Sequence, residues 1–156
     1  MILLPFLLAA VVLLFAQAVL ARSSPLAPDL GPVLAVYLGL FARREWISAA
    51  VLLLGLLRAA IDLEPVGAIL LIHLIIAHCV LFFRDALFRE RAITQWVVSF
   101  AAGALYLSLH LLFSLVITGV AAEGSGGLLR VVLSTLLATL VAPGVIGLLR
   151  LCRVGP

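Results

Sequence analysis

The chain has 156 residues, of which 66% are hydrophobic and 11% charged, with a mean hydropathy of +1.38 and a formal net charge of +3. Soluble domains are about 45–50% apolar and about 25% charged, so this composition excludes a water-soluble globule. The ten basic residues are too few and too scattered to form a stripe along a phosphate backbone, and the sequence predicts no nucleic-acid partner.

The first apolar run, residues 1–21, contains no Asp, Glu, Lys or Arg. It ends in small residues that resemble a signal-peptidase site, but it has no basic n-region and is longer than an ordinary h-region. We expect it to be retained as the first membrane span, with cleavage as the alternative.

Two shorter apolar runs follow, at residues 30–42 and 46–61, with Arg43, Arg44 and Glu45 between them. The first covers about 20 Å, so the two runs form either a re-entrant hairpin or two crossings. The hairpin would leave two arginines near the middle of the membrane, at roughly 2.5–3.5 kcal/mol each. Two crossings, lengthened by flanking residues or met by local thinning of the bilayer, are therefore the prediction.

Three more charge-free runs cover residues 66–83, 92–122 and 131–149, and each is about long enough to cross a hydrocarbon core of about 30 Å. The sequence therefore predicts an all-α integral membrane bundle, a single polytopic domain over residues 1–156. The six predicted spans are 2–21, 28–43, 46–62, 66–84, 93–119 and 128–149.

The connections between the spans alternate in charge. One set of ends carries the seven arginines Arg43, Arg44, Arg84, Arg89, Arg91, Arg150 and Arg153. The opposite set carries Arg22, Arg58 and Arg130 with Asp29, Asp62, Glu64 and Glu123. The positive-inside bias places the seven-arginine side, with both termini, in the cytoplasm. The connection 84–91 is the largest on that side, and its arginines predict contact with anionic lipid headgroups.

Three spans carry rows of small and polar residues that predict contact with other helices rather than a ligand-lined cavity. In the fifth span the row is Ser99, Gly103, Tyr106, His110, Ser114 and Thr118. The second span has Gly31, Ala35 and Gly39, and the sixth has Thr135, Thr139, Pro143 and Gly147. Pro143 should kink the sixth helix or end its regular hydrogen bonding.

A few charged and histidine residues lie within or near the spans. Arg58 and Asp62 are one helical turn apart and can pair, although Arg58 can also reach the interface with its long side chain. Charges inside a membrane are functional candidates by default. His73 and His78 lie about 140° apart around a helix, so they do not share a face and predict no metal site.

The sequence contains no nucleophile elbow, no pair of intramembrane carboxylates and no glycine-rich phosphate loop. The stretch EGSGG at 123–127 lacks both a preceding strand and a lysine, so it is interpreted as an outer loop. Cys79 and Cys152 do not predict a disulfide framework. We therefore expect no catalytic residue, no cofactor and no resident metal.

Four segments follow one another along the chain: APDLGPVLAVYLGLFARRE (27–45), GLLRAAIDLEPVG (55–67), LIIAH with LFRE (74–78 and 87–90), and TLLATLVAPGVIGLLR (135–150). This ordered set resembles the rod shape-determining protein MreD family, from about residue 27 to the end.

Two turns carry most of the resemblance to MreD. In that family a PDL turn opens the second span, and Pro28, Asp29 and Leu30 match it. A GLLxD-type element ends the third span, followed by a turn and a glycine, and Gly55 and Gly67 match these glycines. The family's acidic position is Ala59 here, with Arg58 beside it and Asp62 three residues later.

The resemblance implies a non-enzymatic protein of the bacterial inner membrane, within the complex that elongates the cell. Such a protein binds MreC and joins cytoplasmic MreB filaments to RodA and its class B penicillin-binding partner, and so helps to determine cell shape. The short connections favour contact between helices within the bilayer. The candidate contact residues are Asp29, Arg58, Asp62, Arg84, Arg89, Arg91, Gly103, His110 and Pro143.

An alternative is a transport protein, a substrate-binding membrane subunit similar to the six-helix S components of vitamin importers. Such a subunit needs a polar, outward-facing pocket, which Arg58, Asp62, Glu64 and His110 could furnish. Saturable thermal stabilisation by one small ligand would discriminate it from a scaffold.

Overall fold

The structure, a computed structural model, describes residues 3–24, 27–62, 65–87, 90–118 and 125–151. These residues form six α-helices and one short 3₁₀-helix, at Arg84–Ala86, and they contain no strand. The α-helices are α1 (Leu3–Ser23), α2 (Leu30–Phe41), α3 (Arg44–Asp62), α4 (Val66–Phe83), α5 (Ala92–Thr118) and α6 (Ser125–Leu151). The all-helical prediction is confirmed, and every helix end lies within three residues of the predicted position.

Four of the helices, α1, α4, α5 and α6, are long and apolar enough to cross a membrane. Their outward faces carry large hydrophobic side chains, such as Phe15, Phe82, Val116 and Leu140, which are exposed by 65%, 80%, 72% and 67%. Contiguous apolar surface on this scale needs lipid or another protein around it. The chain is therefore a membrane protein.

Helix α2 is the centre of the bundle. All twelve of its residues are buried, and it contacts each of the other five α-helices. Its sequence explains this position, because a helix that is hydrophobic on all sides has no face to present to water. At 1.5 Å per residue it is about 18 Å long, which is shorter than a hydrocarbon core of about 30 Å.

Glycines allow α2 and its neighbours to approach closely. A Cβ atom at Gly39 would lie 2.6 Å from Cβ of Val80 and 2.8 Å from the carbonyl oxygen of Ala77, both in α4. A Cβ atom at Gly103 in α5 would lie 2.6 Å from Cγ2 of Thr135 in α6. These contacts follow the small-residue packing expected of membrane helices.

The row of small and polar residues predicted on α5 faces the interior. Ser99, Gly103 and Tyr106 are buried, and His110 and Ser114 are half-buried. The side chain of Thr118, the last member of the row, lies outside the described residues. Val97 and Val116, on the opposite side of the helix, are exposed.

The row predicted on α6 faces the bundle only at its first two residues. Thr135 is buried, and Oγ1 of Thr139 would lie 3.6 Å from a Cβ atom at Gly103 of α5. The rest of the buried face consists of Ala138, Ala142, Ile146 and Leu149. Residues spaced by four rotate about 40° per step around a helix, so a row of three steps leaves the buried face by about 120°. Consistently, a Cβ atom at Gly147 would meet no atom within 4 Å.

Pro143 does not end the regular structure of α6. The helix continues through this residue to Leu151, and Pro143 is half-buried.

Candidate functional site

The buried start of α2 has its hydrogen-bond donors satisfied by other parts of the protein. Asp29 is the N-cap, with an extended backbone, and its Oδ1 accepts a hydrogen bond from the backbone N–H of Gly31 at 3.1 Å. The backbone N–H of Leu30 donates to Oε1 of Gln17 in α1 at 2.9 Å. Both interactions satisfy groups that a helix start otherwise leaves without intrahelical acceptors.

The two remaining positions of this first turn are also accounted for. The backbone N–H of Asp29 donates to the carbonyl oxygen of Ser134 in α6 at 3.3 Å. The third helical residue is Pro32, which has no N–H to satisfy. The four leading backbone positions of α2 therefore leave no unpaired donor in a low-dielectric interior, where such a donor is costly.

Asp29 forms a buried ion pair with Arg58 of α3. Nη1 of Arg58 donates to Oδ1 of Asp29, and Nη2 donates to Oδ2 at 3.0 Å. The residues are only 8% and 5% exposed. This parallel, two-bond geometry is the strong form of an arginine–carboxylate interaction. Because each charge compensates the other, the pair can lie inside the bundle where neither charge could lie alone.

Gly31 makes room for this ion pair. A Cβ atom at this position would overlap Nη1 of Arg58 and lie 2.8 Å from Nε2 of His73. The absence of a side chain on α2 thus lets α3 and α4 bring an arginine and a histidine against its first turn.

A row of aromatic rings continues from the ion pair into α5. His73 is fully buried in α4, and its Nδ1 lies 2.8 Å from the carbonyl oxygen of Ile69, so this nitrogen carries the hydrogen and donates. Its ring meets the ring of Tyr106 edge-on at 6.1 Å between centroids. Tyr106 in turn stacks on His110 at 5.9 Å. We call Gln17, Asp29, Arg58, His73 and Tyr106 the Asp29 cluster.

The Asp29 cluster lies well inside the bundle. Gln17 is six residues before the end of α1, and Ser134 is nine residues after the start of α6. At 1.5 Å per residue these positions are about 9 Å and about 14 Å from the ends of their helices. The cluster therefore takes residues from four helices and from the connection before α2, at a depth where charged groups are rare and usually functional.

The structure joins two of the predicted contact residues, Asp29 and Arg58, in a pair that the sequence did not suggest. The guanidinium of Arg58 is buried and directed at Asp29, so it does not extend to the interface. The expected pair of Arg58 with Asp62 stays a prediction. Asp62 ends α3, and its side chain lies outside the described residues, as does all of Glu64. His110 is half-buried and reaches the cluster through Tyr106.

Sequence reasoning missed two members of the Asp29 cluster. Gln17 is the only polar side chain in residues 1–21, and that isolation in an apolar run was a usable signal. His73 was considered only as a possible metal ligand. Its role could not be read from the sequence, because it depends on which helix faces α4.

The opposite end of the bundle is rich in arginine. We call it the basic end and define it by Arg43, Arg44, Arg84, Arg91 and Arg150. Arg84 is mostly buried there, and its Nη1 donates to the carbonyl oxygen of Ala42, the C-cap of α2, at 2.7 Å. Arg84 thus closes the end of α2 from within the protein. Its guanidinium is committed to an internal contact rather than presented to a partner.

Two further ion pairs tie the basic end together. Arg44 of α3 pairs with Asp85 at 2.8 Å, with both side chains exposed, and Arg150 of α6 pairs with Glu90. Arg150 also lies over the ring of Phe41, 5.3 Å from its centroid. Both carboxylates of the 84–91 connection are therefore held by arginines from other helices.

The remaining predicted contact residues are Gly103, Arg91, Pro143 and Arg89. Gly103 is used inside the protein, against α6. Arg91 is exposed immediately before α5, and Pro143 is half-buried within α6. Arg89 lies outside the described residues.

Within the described ranges no three His, Cys, Asp or Glu side chains come close enough together to hold a metal ion. No protein-family model, curated protein or solved structure matches the chain.

Proposed function

We propose that this chain is a non-enzymatic scaffold protein of the bacterial inner membrane, a component of the complex that elongates the cell and sets its shape. One observation carries the proposal. The PDL turn and the GLLR segment, which contribute most to the resemblance to MreD, meet in the Asp29–Arg58 ion pair. The sequence features of the resemblance are thus the features that build the buried centre of the protein.

The internal use of charge favours a scaffold over a ligand-binding subunit. Both oxygens of Asp29 and both terminal nitrogens of Arg58 are committed to each other. An importer subunit that used Arg58 to bind substrate would have to break this pair. In a scaffold, the pair instead holds α2 against α3. The two helices then form part of a rigid bundle on which partner helices can pack.

The topology of the proposal has six crossings, with both termini in the cytoplasm. The basic end carries the seven-arginine side of the sequence, which the positive-inside bias assigns to the cytoplasm. The shortness of α2 does not oppose a crossing, because all of its side chains are buried in protein and do not meet lipid. Its two ends are capped by residues of α1, α6 and the 84–91 connection.

The proposed partners are an MreC-like protein and, directly or through it, MreB filaments, RodA and a class B penicillin-binding protein. The connections are short, so contact is proposed to run through exposed apolar helix faces in the bilayer. Such faces occur on α1, at Leu8 and Phe15, and on α5, at Leu112 and Val116.

Co-purification tests this proposal. The tagged full chain, extracted in mild detergent, should bring down an MreC-like protein and the wall synthases. The Arg58→Met variant should lose these partners in proportion to its loss of folded protein, whereas the surface variant Arg44→Gln should keep them. A monodisperse monomer that binds none of these proteins would contradict the scaffold. Saturable thermal stabilisation by one vitamin or metal would favour the importer subunit instead.

A further inference from the structure

An open apolar groove runs between α4 and α5. Its volume is about 240 Å³. Its lining side chains include Ile76, Val80 and Phe83 on one wall and Val98 and Ala101 on the other. Cys79, which is exposed, supplies the single sulfur among these lining residues. The lining is therefore suited to an apolar ligand.

The groove ends at the basic end of the bundle. Its two walls are the last turns of α4, which ends at Phe83, and the first turns of α5, which begins at Ala92. Residues 84–91 join these two walls, and Leu87 of this connection is itself among the lining residues. Any ligand that fills the groove lengthwise must meet the arginine-rich connection at one end.

The charge at this end is positive. The described residues there include five arginines and three carboxylates, Glu45, Asp85 and Glu90, so the formal excess is two positive charges. Asp85 and Glu90 are each paired with an arginine from another helix. Arg91 is exposed immediately before the wall formed by α5. An apolar groove that ends at excess positive charge is complementary to an amphiphile with an apolar tail and an anionic head.

We infer that the groove binds one acyl chain of an anionic phospholipid, with the lipid phosphate at Arg91. Arginine is well suited to such a contact because its planar guanidinium binds phosphate oxygens through two hydrogen bonds. The positive charge at the end of the groove favours an anionic lipid over an apolar partner helix as its occupant. This site does not depend on the proposed scaffold function.

Lipid-dependent thermal stability of the full chain tests the inference. Delipidated protein in detergent is titrated with phosphatidylglycerol or with phosphatidylcholine that has the same acyl chains, and bound lipid is counted by native mass spectrometry. We expect saturable stabilisation by phosphatidylglycerol with one lipid bound. Phosphatidylcholine, whose head has no net charge, should bind more weakly, by about fivefold for each arginine that attracts the anionic head.

Two pairs of variants locate the site. Ala101→Phe fills the groove, and Ala104→Phe adds the same side chain at an exposed position of α5 that is not among the lining residues. Arg91→Gln removes a charge at the basic end, and Arg130→Gln removes an exposed arginine of α6 at the other end. The first variant of each pair should weaken phosphatidylglycerol binding by about fivefold or more, and its control should not.

Several results would overturn the inference. Equal stabilisation by the two lipids would show that the charge of the head is not recognised, and equal binding by Ala101→Phe and Ala104→Phe would place the lipid elsewhere. The same shift with glycerol phosphate alone would show an anion site without an acyl chain. Loss of a protein partner in Ala101→Phe, with lipid binding unchanged, would assign the groove to protein contact.

Discussion

At the scale of single residues, the main feature is that Asp29 and Arg58 place two opposite charges against each other inside an apolar protein. Asp29 accepts hydrogen bonds from Arg58 and from the start of α2, so one carboxylate serves both an ion pair and a helix cap. Arg84 does the corresponding work at the other end of α2. A residue that fills two such roles tolerates few replacements, because each role asks for a different geometry.

The Asp29–Arg58 pair should be strongly coupled. Removing one partner by Asp29→Ala or Arg58→Met leaves the other charge buried and should lower the free energy of unfolding by about 3–5 kcal/mol. The double variant should cost clearly less than the sum of the two, because it leaves no uncompensated charge. Reversible unfolding of the purified chain in mixed micelles measures all three values.

The exposed pair Arg44–Asp85 is the control for this cycle. Its side chains are 66% and 73% exposed, so the same cycle should give a coupling of only about 0–1 kcal/mol. A coupling at the exposed pair as large as that at Asp29–Arg58 would show that burial does not set the strength of these interactions.

At the scale of helices, the sequence predicted where each helix begins and ends better than which side of it is buried. The ends of each apolar run mark the ends of a helix, because placing a charged side chain in the hydrocarbon layer is costly. This signal is local in the sequence and does not depend on which helices pack together. The row Gly31 to Gly39 is buried because every residue of α2 is buried, so no rotation along the row could expose it. The four-residue spacing misled on α6, which is buried on one face only, because the row to Gly147 turns away from that face.

Pairing between helices could not be predicted, because it depends on rotation and depth. The sequence offered Asp62, the neighbour of Arg58 along α3, as its partner, and the side chain of Asp62 lies outside the described residues. The structure also brings Arg58 to Asp29 across a helix interface, which the sequence did not suggest. The need to compensate a buried charge was evident in the sequence. The identity of the compensating residue was not.

Packing of α2 against α4 should depend on Gly39. In the Gly39→Ala variant the new methyl group meets a backbone carbonyl of α4, which cannot rotate away, so the helices must separate. We expect a loss of about 1–3 kcal/mol in the free energy of unfolding. Gly147→Ala is the matched control, and it should be neutral or stabilise by up to about 1 kcal/mol through helix propensity. Equal behaviour of the two variants in thermal unfolding would refute close packing at Gly39.

The hydrogen bond from Arg84 to the end of α2 should contribute to the stability of the bundle. Arg84→Gln removes the donor to Ala42, which leaves a buried acceptor and should cost about 1–3 kcal/mol. Arg43→Gln removes the same charge at an exposed neighbouring position and should change stability by no more than about 0.5 kcal/mol. Melting temperatures of the two variants in one detergent provide the comparison. A larger decrease in Arg43→Gln would mean that net charge at this end, rather than the cap, stabilises the bundle.

At the scale of the whole molecule, the bundle is built from the inside outward. The shortest and most buried helix, α2, is held at its start by α1, α3 and α6 and at its end by Arg84. The longer helices surround it and present apolar side chains outward. This arrangement suits a protein whose partners pack against a rigid helical bundle within the bilayer. Which surface of the bundle a partner can reach depends on the orientation of the bundle in the membrane.

Accessibility of single cysteines tests the orientation and the number of crossings together. In a chain without its native cysteines, Ser24→Cys, Arg43→Cys and Ala86→Cys are treated one at a time with a membrane-impermeant maleimide on cells with an intact inner membrane. With six crossings and the basic end in the cytoplasm, Ser24→Cys should be labelled from outside, and Arg43→Cys and Ala86→Cys should be labelled only after the membrane is opened. Labelling of Ala86→Cys from outside, or no labelling of Arg43→Cys under either condition, would contradict six crossings with the basic end in the cytoplasm.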